Sequence, residues 1–281
     1  MSVNQLDTMI KHSITSPSQL LANNLANNLA KVVQGVGDFL LLLDIDGTLS
    51  EFHPDPQQSF ISNDNLAILA QLQNHLPLWL VTGRSVADAR RLTAPLKLPV
   101  IGSHGLQCDT LIDSYSLVDI DLAQLQQINQ SIVNATGNHP HWRIEQKPFG
   151  VALHFREHPE LADSALTIMQ AIGHDFNDWQ LKAGKCVYEL LPQGVDKGSA
   201  INHVLKHYHP HCCPIFIGDD VTDEAGFIAV QSYGDTSNKK GSDIKGIGVK
   251  VGCEPSHAHY YVSDVSAVTA LLQGLLTLCQ S

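Results

Sequence analysis

Basic residues are scarce. There are 17 lysines and arginines against 28 aspartates and glutamates, a formal net charge of −11 over 281 residues. That balance argues against nucleic acid and against an anionic membrane surface as partners, because both are bound through clustered cations. No apolar run is long enough to span a bilayer. The first residues carry no charged segment followed by an apolar core, so no secretory signal is read and the expected location is the cytoplasm. Cysteine is sparse and unpatterned. The six cysteines stand at 108, 186, 212, 213, 253 and 279, none as C-x-x-C, and two of them are adjacent. No ordinary disulfide framework follows, and reduced thiols fit best. Charge is modest at 16%, and 43% of residues are hydrophobic, enough for one large core or two smaller ones.

What is present begins with Phe39-Leu40-Leu41-Leu42-Leu43, five large apolar residues that read as a strand buried on both faces. Asp44-Ile45-Asp46-Gly47-Thr48 follows it directly. Open α/β sheets build their ligand sites at such carboxyl ends. An aspartate there can serve as nucleophile or metal ligand, and a second one two positions on can move protons. Gly47 lets the backbone turn and bring its amides close to an anion.

Strands then alternate with helices. Leu66, Leu69, Leu72 and Leu76 form a helix face, Leu78–Val81 a second strand, and residues 99–102 a third. Between 109 and 193 the rhythm changes to β-rich pieces around two helices, expected at 121–135 and 160–172. Strands are expected at 141–147, 151–156 and 185–191. Val151, Leu153 and Phe155 share one face there, and His154 and Arg156 are expected on a wet one. The doubly wound rhythm resumes near 195, with a helix through Ala200, Ile201, Val204 and Leu205, a buried strand at 214–217, and a closing helix at 268–278. Residues 1–37 read as a helical extension, with Leu21, Leu25 and Leu29 at four-residue spacing, packed on the domain surface. The expected fold is therefore α/β: a doubly wound parallel-sheet (Rossmann-like) core over 38–108 and 194–281, with an inserted α+β domain at 109–193.

Four polar clusters fall on successive βα units: Asp44 with Asp46, Thr82-Gly83-Arg84, Lys197 in a first helical turn, and Gly218-Asp219-Asp220 followed by Asp223. Together they suit phosphoryl transfer. A phosphate dianion repels an attacking carboxylate, and Mg²⁺, a hard cation that prefers oxygen ligands, removes that obstacle. Asp44 and Asp219 can supply carboxylates, Asp46 a backbone carbonyl, and Asp220 and Asp223 can complete or orient the shell. The Thr82 hydroxyl and Gly83 amide can bind phosphate oxygens, and Lys197 can balance developing charge. Asp46 could protonate the leaving-group oxygen and then activate water. The segment His207-x-His209-x-His211 matches no tetrahedral metal pattern and reads as a surface loop.

These clusters resemble the four motifs of the haloacid dehalogenase superfamily, and the second Asp of the first motif points within it to a phosphatase or mutase. Leu80-Val-Thr-Gly-Arg-Ser85, Gly102-Ser-His-Gly-Leu106, Lys147–Arg156, Gly184–Gly198 and Gly218-Asp-Asp-Val-Thr-Asp-Glu224 are together similar to the trehalose-6-phosphate phosphatases, over about residues 39 to 275. One departure is Leu106-Gln107, where that family often has Ala-Glu. The resemblance implies that the insert is a substrate-specificity cap and that a sugar phosphate is the substrate. It also implies Mg²⁺ as cofactor and a trehalose-6-phosphate synthase as pathway partner, with the oligomeric state left open. Lys185 and Glu189 are four apart on one strand face, suited to sugar hydroxyls. Arg84, Lys147, His154 and Arg156 are further substrate-side candidates. A sucrose- or glucosylglycerate-type phosphatase is the nearest alternative, and a receiver-like phosphorylatable module is a more distant one.

Overall fold

The computed structural model describes residues 18–19, 39–53, 55–137, 141–184, 186–210, 212–233 and 246–280. The helix expected through Leu21, Leu25 and Leu29 lies outside the described residues, as does Lys185. In chain order the first strands are β1 (Ser18–Gln19), β2 (Phe39–Leu43), β3 (Leu78–Val81), β4 (Val100–Gly102), β5 (Gln107–Asp109) and β6 (Ser114–Ser116). They are followed by β7 (Arg143–Lys147), β8 (Gly150–His154), β9 (Trp179–Gly184) and β10 (Val187–Pro192). The last three are β11 (Cys213–Gly218), β12 (Ile247–Val251) and β13 (Tyr260–Val262). The α-helices are α1 (Asn63–Leu72), α2 (Val86–Thr93), α3 (Leu122–Thr136), α4 (Ala162–Asp175), α5 (Lys197–His207), α6 (Glu224–Ser232) and α7 (Val265–Cys279). No helix among the described residues is long and apolar enough to cross a membrane.

Two sheets form. The larger has nine strands in the order β1-β13-β12-β11-β2-β3-β4-β5-β6. Its strands from β1 to β4 pair in parallel, while β5 and β6 extend the edge antiparallel. The central strands explain its double winding. Leu41 and Leu43 pack with Ile215, Ile217 and the apolar faces of α1, α2 and α7. Leu40 and Leu42, one residue out of phase, pack on the other side with Phe216, Phe227 and α5. An alternation of two faces, both apolar, leaves β2 and β11 dry on both sides. From β2 the chain winds outward to β3 on one side, and from β11 to β12 on the other. The crevice opens where that order reverses, at the carboxyl ends of β2 and β11.

The smaller sheet, β7-β8-β10-β9, is antiparallel throughout. One face carries α3 and α4 through Ile128, Ile132, Met169 and Leu153. Two sequence expectations need correction here. Ser114–Ser116 falls inside the segment expected as the insert, yet it pairs with β5 in the larger sheet. The His154 face was expected to be wet, but all of Gly150–His154 is buried and His154 is only 7% exposed. Alternation correctly separated the two faces of β8. It could not show that the second face lines a cavity shared with Asp44, Thr82 and Lys197 of the larger sheet, where His154 pairs with Glu145.

Candidate active site

Asp44 sits one residue past β2, its amide donating to Ile217 O at 3.0 Å, so the ends of β2 and β11 are tied together. Gly47 turns the chain back at φ +76°. A Cβ at that position would lie 2.0 Å from Asp219 Oδ2, so only glycine lets the first acidic loop pass the second. Gly47→Ala is expected to cost about 1–3 kcal/mol by chemical denaturation, from left-handed strain and overpacking. An unchanged denaturation midpoint would contradict this packing.

Asp196 caps α5 in a reciprocal capping box with Ser199, which fixes Lys197 in the first turn. Lys197 is 2% exposed, and its Nζ lies 3.0 Å from Asp44 Oδ1 and 2.6 Å from Asp223 Oδ1. Burial works against its charge, but Asp223 and Asp44 outweigh that and hold the ammonium protonated. The other oxygen of Asp223 accepts from the Asp220 amide at 2.9 Å. Lys250, buried on β12, donates to the Asp219 carbonyl. Carboxylate oxygens of Asp44, Asp219 and Asp223 lie within 4.8 Å of one another. Burial raises the Asp44 carboxyl well above the usual range, reinforced by Asp223, Asp219 and Asp46 and opposed by Lys197. Burial, with Asp223 and Asp220, pushes Asp219 up to about 7. Three crowded carboxylates beside two ammonium groups, Lys197 and Lys250, still leave an excess of buried negative charge, and a divalent cation with oxygen preference fits it.

The expected metal residues divide. Asp44, Asp219 and Asp223 converge. The Asp220 carboxylate instead accepts from the Val221 amide at 2.6 Å, capping its own turn. Asp46 was expected to offer its backbone carbonyl; its carboxylate is held by Arg84, whose Nε and Nη2 each donate to it at 2.6 Å in a bidentate pair. Thr82 is buried at the end of β3, and its hydroxyl oxygen accepts from the Arg84 amide at 3.2 Å.

Across the crevice, the smaller sheet presents a second charged set. Glu189 is 5% exposed, with one oxygen bound by Lys147 from β7. Burial alone would raise its carboxyl, but Lys147 and His104 hold it below the usual range. Its Oε2 is 3.3 Å from His104 Nε2 yet accepts no hydrogen bond among the described residues. His154 Nε2 pairs with Glu145 at 2.8 Å. Arg156 donates to His53 O at 3.0 Å and stacks 4.6 Å over the Phe52 ring, tying the two sheets together beside the cavity.

These groups enclose one cavity of about 690 Å³, a size suited to a small polar ligand. Of the described residues expected from sequence, all but Asp223 line it, and Asp223 is fully buried behind Lys197. His104, Glu145 and Lys250 were not expected as site residues. Glu145 could have been found, because it stands two residues before Lys147 on one strand and so shares its face.

A trehalose-phosphatase family model matches residues 42–266. The trehalose-6-phosphate phosphatase of Escherichia coli (strain K12) is 30% identical over 84% of this chain and 86% of its own length. Trehalose-phosphate phosphatase B of Arabidopsis thaliana is 26% identical over 98% of this chain and 75% of its own. A solved trehalose-6-phosphate phosphatase related protein, 26% identical, superposes with a TM-score of 0.67 over 85% of this chain and 97% of that one. The C-terminal domain of the Candida albicans enzyme, at 22% identity, shows the same fold with a TM-score of 0.80, over 95% of this chain and 99% of its own. Matched over most of its length, and with the four motif clusters converging on one cavity, this chain belongs to the trehalose-phosphatase family.

Proposed function

We propose that this chain is a Mg²⁺-dependent phosphatase that hydrolyses trehalose 6-phosphate to trehalose and phosphate. The observation that carries this reading is a single cavity with two chemically distinct walls. One wall holds the buried Asp44–Lys197–Asp219 cluster, suited to phosphate. The other holds Glu189, whose buried Oε2 lies 3.3 Å from His104 Nε2 and accepts no hydrogen bond among the described residues, suited to a sugar hydroxyl. In this reading the larger sheet and its helices are the core, and β7–β10 with α3 and α4 are the cap.

Asp44 is the nucleophile. Its carboxylate oxygen attacks phosphorus, the bond from phosphorus to the sugar oxygen breaks, and that oxygen takes a proton from Asp46. Water then attacks the aspartyl-phosphate, Asp46 removes its proton, and Asp44 is regenerated with release of phosphate. Asp46 reaches this role once Arg84 turns from it to the substrate. The Thr82 hydroxyl and Gly83 amide orient the phosphoryl oxygens. Lys197 balances the charge that develops on them. Mg²⁺ would be held by Asp44, Asp219 and Asp223, and would offset the charge between phosphate and carboxylate. Glu189 and Lys147 bind sugar hydroxyls, and the fit of the cap excludes bulk water during transfer. A synthase that makes trehalose 6-phosphate would supply the substrate.

Phosphate release across a panel of sugar phosphates, with Mg²⁺ and with chelator, tests this. Trehalose 6-phosphate is expected to be the fastest, and chelation to abolish the rate. A faster sucrose or glucosylglycerate phosphate would overturn the substrate, and a full rate in chelator would overturn the metal. Glu189→Gln should raise KM for trehalose 6-phosphate by roughly tenfold or more, since a charged acceptor becomes a neutral one. An unchanged KM would remove Glu189 from the sugar site.

A further inference from the structure

The turn between β4 and β5 is strained at two residues. Ser103 and His104 lie at φ 52° and 57°, in the left-handed region that side chains seldom adopt. Strain of this kind persists where the surroundings enforce it, and here the backbone is bound to the phosphate-side loop. The Ser103 amide donates to Arg84 O at 2.8 Å, and the His104 amide to Thr82 O at 3.1 Å. The imidazole fills the space that Gly83 leaves open: a Cβ on Gly83 would lie 2.4 Å from ring carbon Cε1. The same Cε1–Nε2 edge, which lies 2.5 Å from that Cβ position at Nε2, also comes 3.3 Å from Glu189 Oε2. Nδ1 is buried and has no hydrogen-bond partner among the described residues, so packing between Gly83 and Glu189 sets the ring position. Lys147, the other partner of Glu189, comes from the same small sheet. His104 comes from the larger one.

We propose that His104 is a positioning residue: its ring spaces the sugar-side carboxylate Glu189 from the phosphate-side loop Thr82–Arg84, and thereby favours phosphomonoesters whose sugar spans both. This role rests on the trehalose 6-phosphate reading above. A small aryl phosphate needs only the phosphate wall, whereas a disaccharide phosphate needs both walls at a fixed separation.

The test compares two substrates, trehalose 6-phosphate and para-nitrophenyl phosphate, on wild type, His104→Asn and His104→Gln. Asparagine tolerates the left-handed backbone but is too short to reach Glu189. Glutamine restores a long side chain ending in an N–H donor. For His104→Asn, kcat/KM on trehalose 6-phosphate should fall roughly ten- to a hundred-fold, mostly through KM, as expected for misplacement by about an ångström. On para-nitrophenyl phosphate the loss should stay under about threefold, and His104→Gln should recover part of the difference. Equal losses on both substrates, or no loss on either, would overturn the proposal. A melting temperature within a few degrees of wild type shows that the variant is folded. If wild type itself ignores trehalose 6-phosphate, the substrate reading fails separately. The same comparison then runs with the sugar phosphate it does prefer.

Discussion

Asp44→Asn should lower phosphate release from trehalose 6-phosphate by at least about 10⁴-fold, because no other group in the cavity stands in for a lost nucleophile. It should do so without unfolding the chain. In the folded state the Asp44 carboxyl is buried among Asp223, Asp219 and Asp46, and its ionisation range is raised. A carboxyl raised on folding costs stability above its unfolded range, so the charge of Asp44 works against the metal-free fold at neutral pH. Asparagine removes that charge, and Lys197 keeps its 2.6 Å partner Asp223. In chelator the variant should therefore melt no lower than wild type. Adding Mg²⁺ should raise the melting temperature of wild type and raise that of the variant less, since only ligands present in the fold bind and stabilise it. Retention of most activity would remove Asp44 from the chemistry, and a large drop in melting temperature in chelator would contradict the charge accounting.

Lys197→Met has the second large effect, and here stability falls with activity. Lys197 is the cation shared by the buried Asp44 and Asp223. Methionine fills similar volume but leaves both carboxylates facing each other without an ammonium. Breaking a buried pair in this way costs roughly 3–5 kcal/mol. The loss, read by urea denaturation, should be largest in chelator and smaller in saturating Mg²⁺, where the metal supplies the missing positive charge. Turnover should fall by roughly 10²–10³-fold or more, the scale seen when one charge-stabilising group is deleted. Equal stability of wild type and variant in chelator would mean that Lys197 does not compensate these carboxylates.

Much of this site is legible in the sequence because its main residues stand at the ends of strands that announce themselves. Five consecutive large apolar residues before Asp44, and Pro214-Ile215-Phe216-Ile217 before Gly218 and Asp219, read as strands buried on both faces, which puts the following acids at one edge of a sheet. Lys197 follows from its cap, since Asp196 begins a helix. What the sequence hides is contact between segments distant along the chain. The bidentate grip of Arg84 on Asp46 spans 38 residues, and nothing local to either residue signals it. In the sequence His104 stands only within the family-like stretch Gly102-Ser-His-Gly-Leu106, with no role attached. Its importance comes from a backbone in the left-handed region and from the hollow at Gly83, neither of which has a sequence signature. Lys250 reads as the polar position of a strand, yet it is buried against the Asp219 carbonyl. His154 was assigned to a wet face for the same reason, because alternation separates two faces but does not say what covers the second. The pairing of Ser114–Ser116 with the larger sheet was likewise hidden in a short polar segment without periodicity.

The central claim is that Asp44 carries the phosphoryl group. Rapid acid quench during turnover of trehalose 6-phosphate, followed by hydride reduction and peptide mass spectrometry, tests it directly, because reduction converts a phosphorylated aspartate to homoserine. The account predicts homoserine at position 44 and at no other acid, and none when substrate is omitted. Modification at Asp46 or Asp219 instead, or an unmodified Asp44 at full turnover, would contradict it.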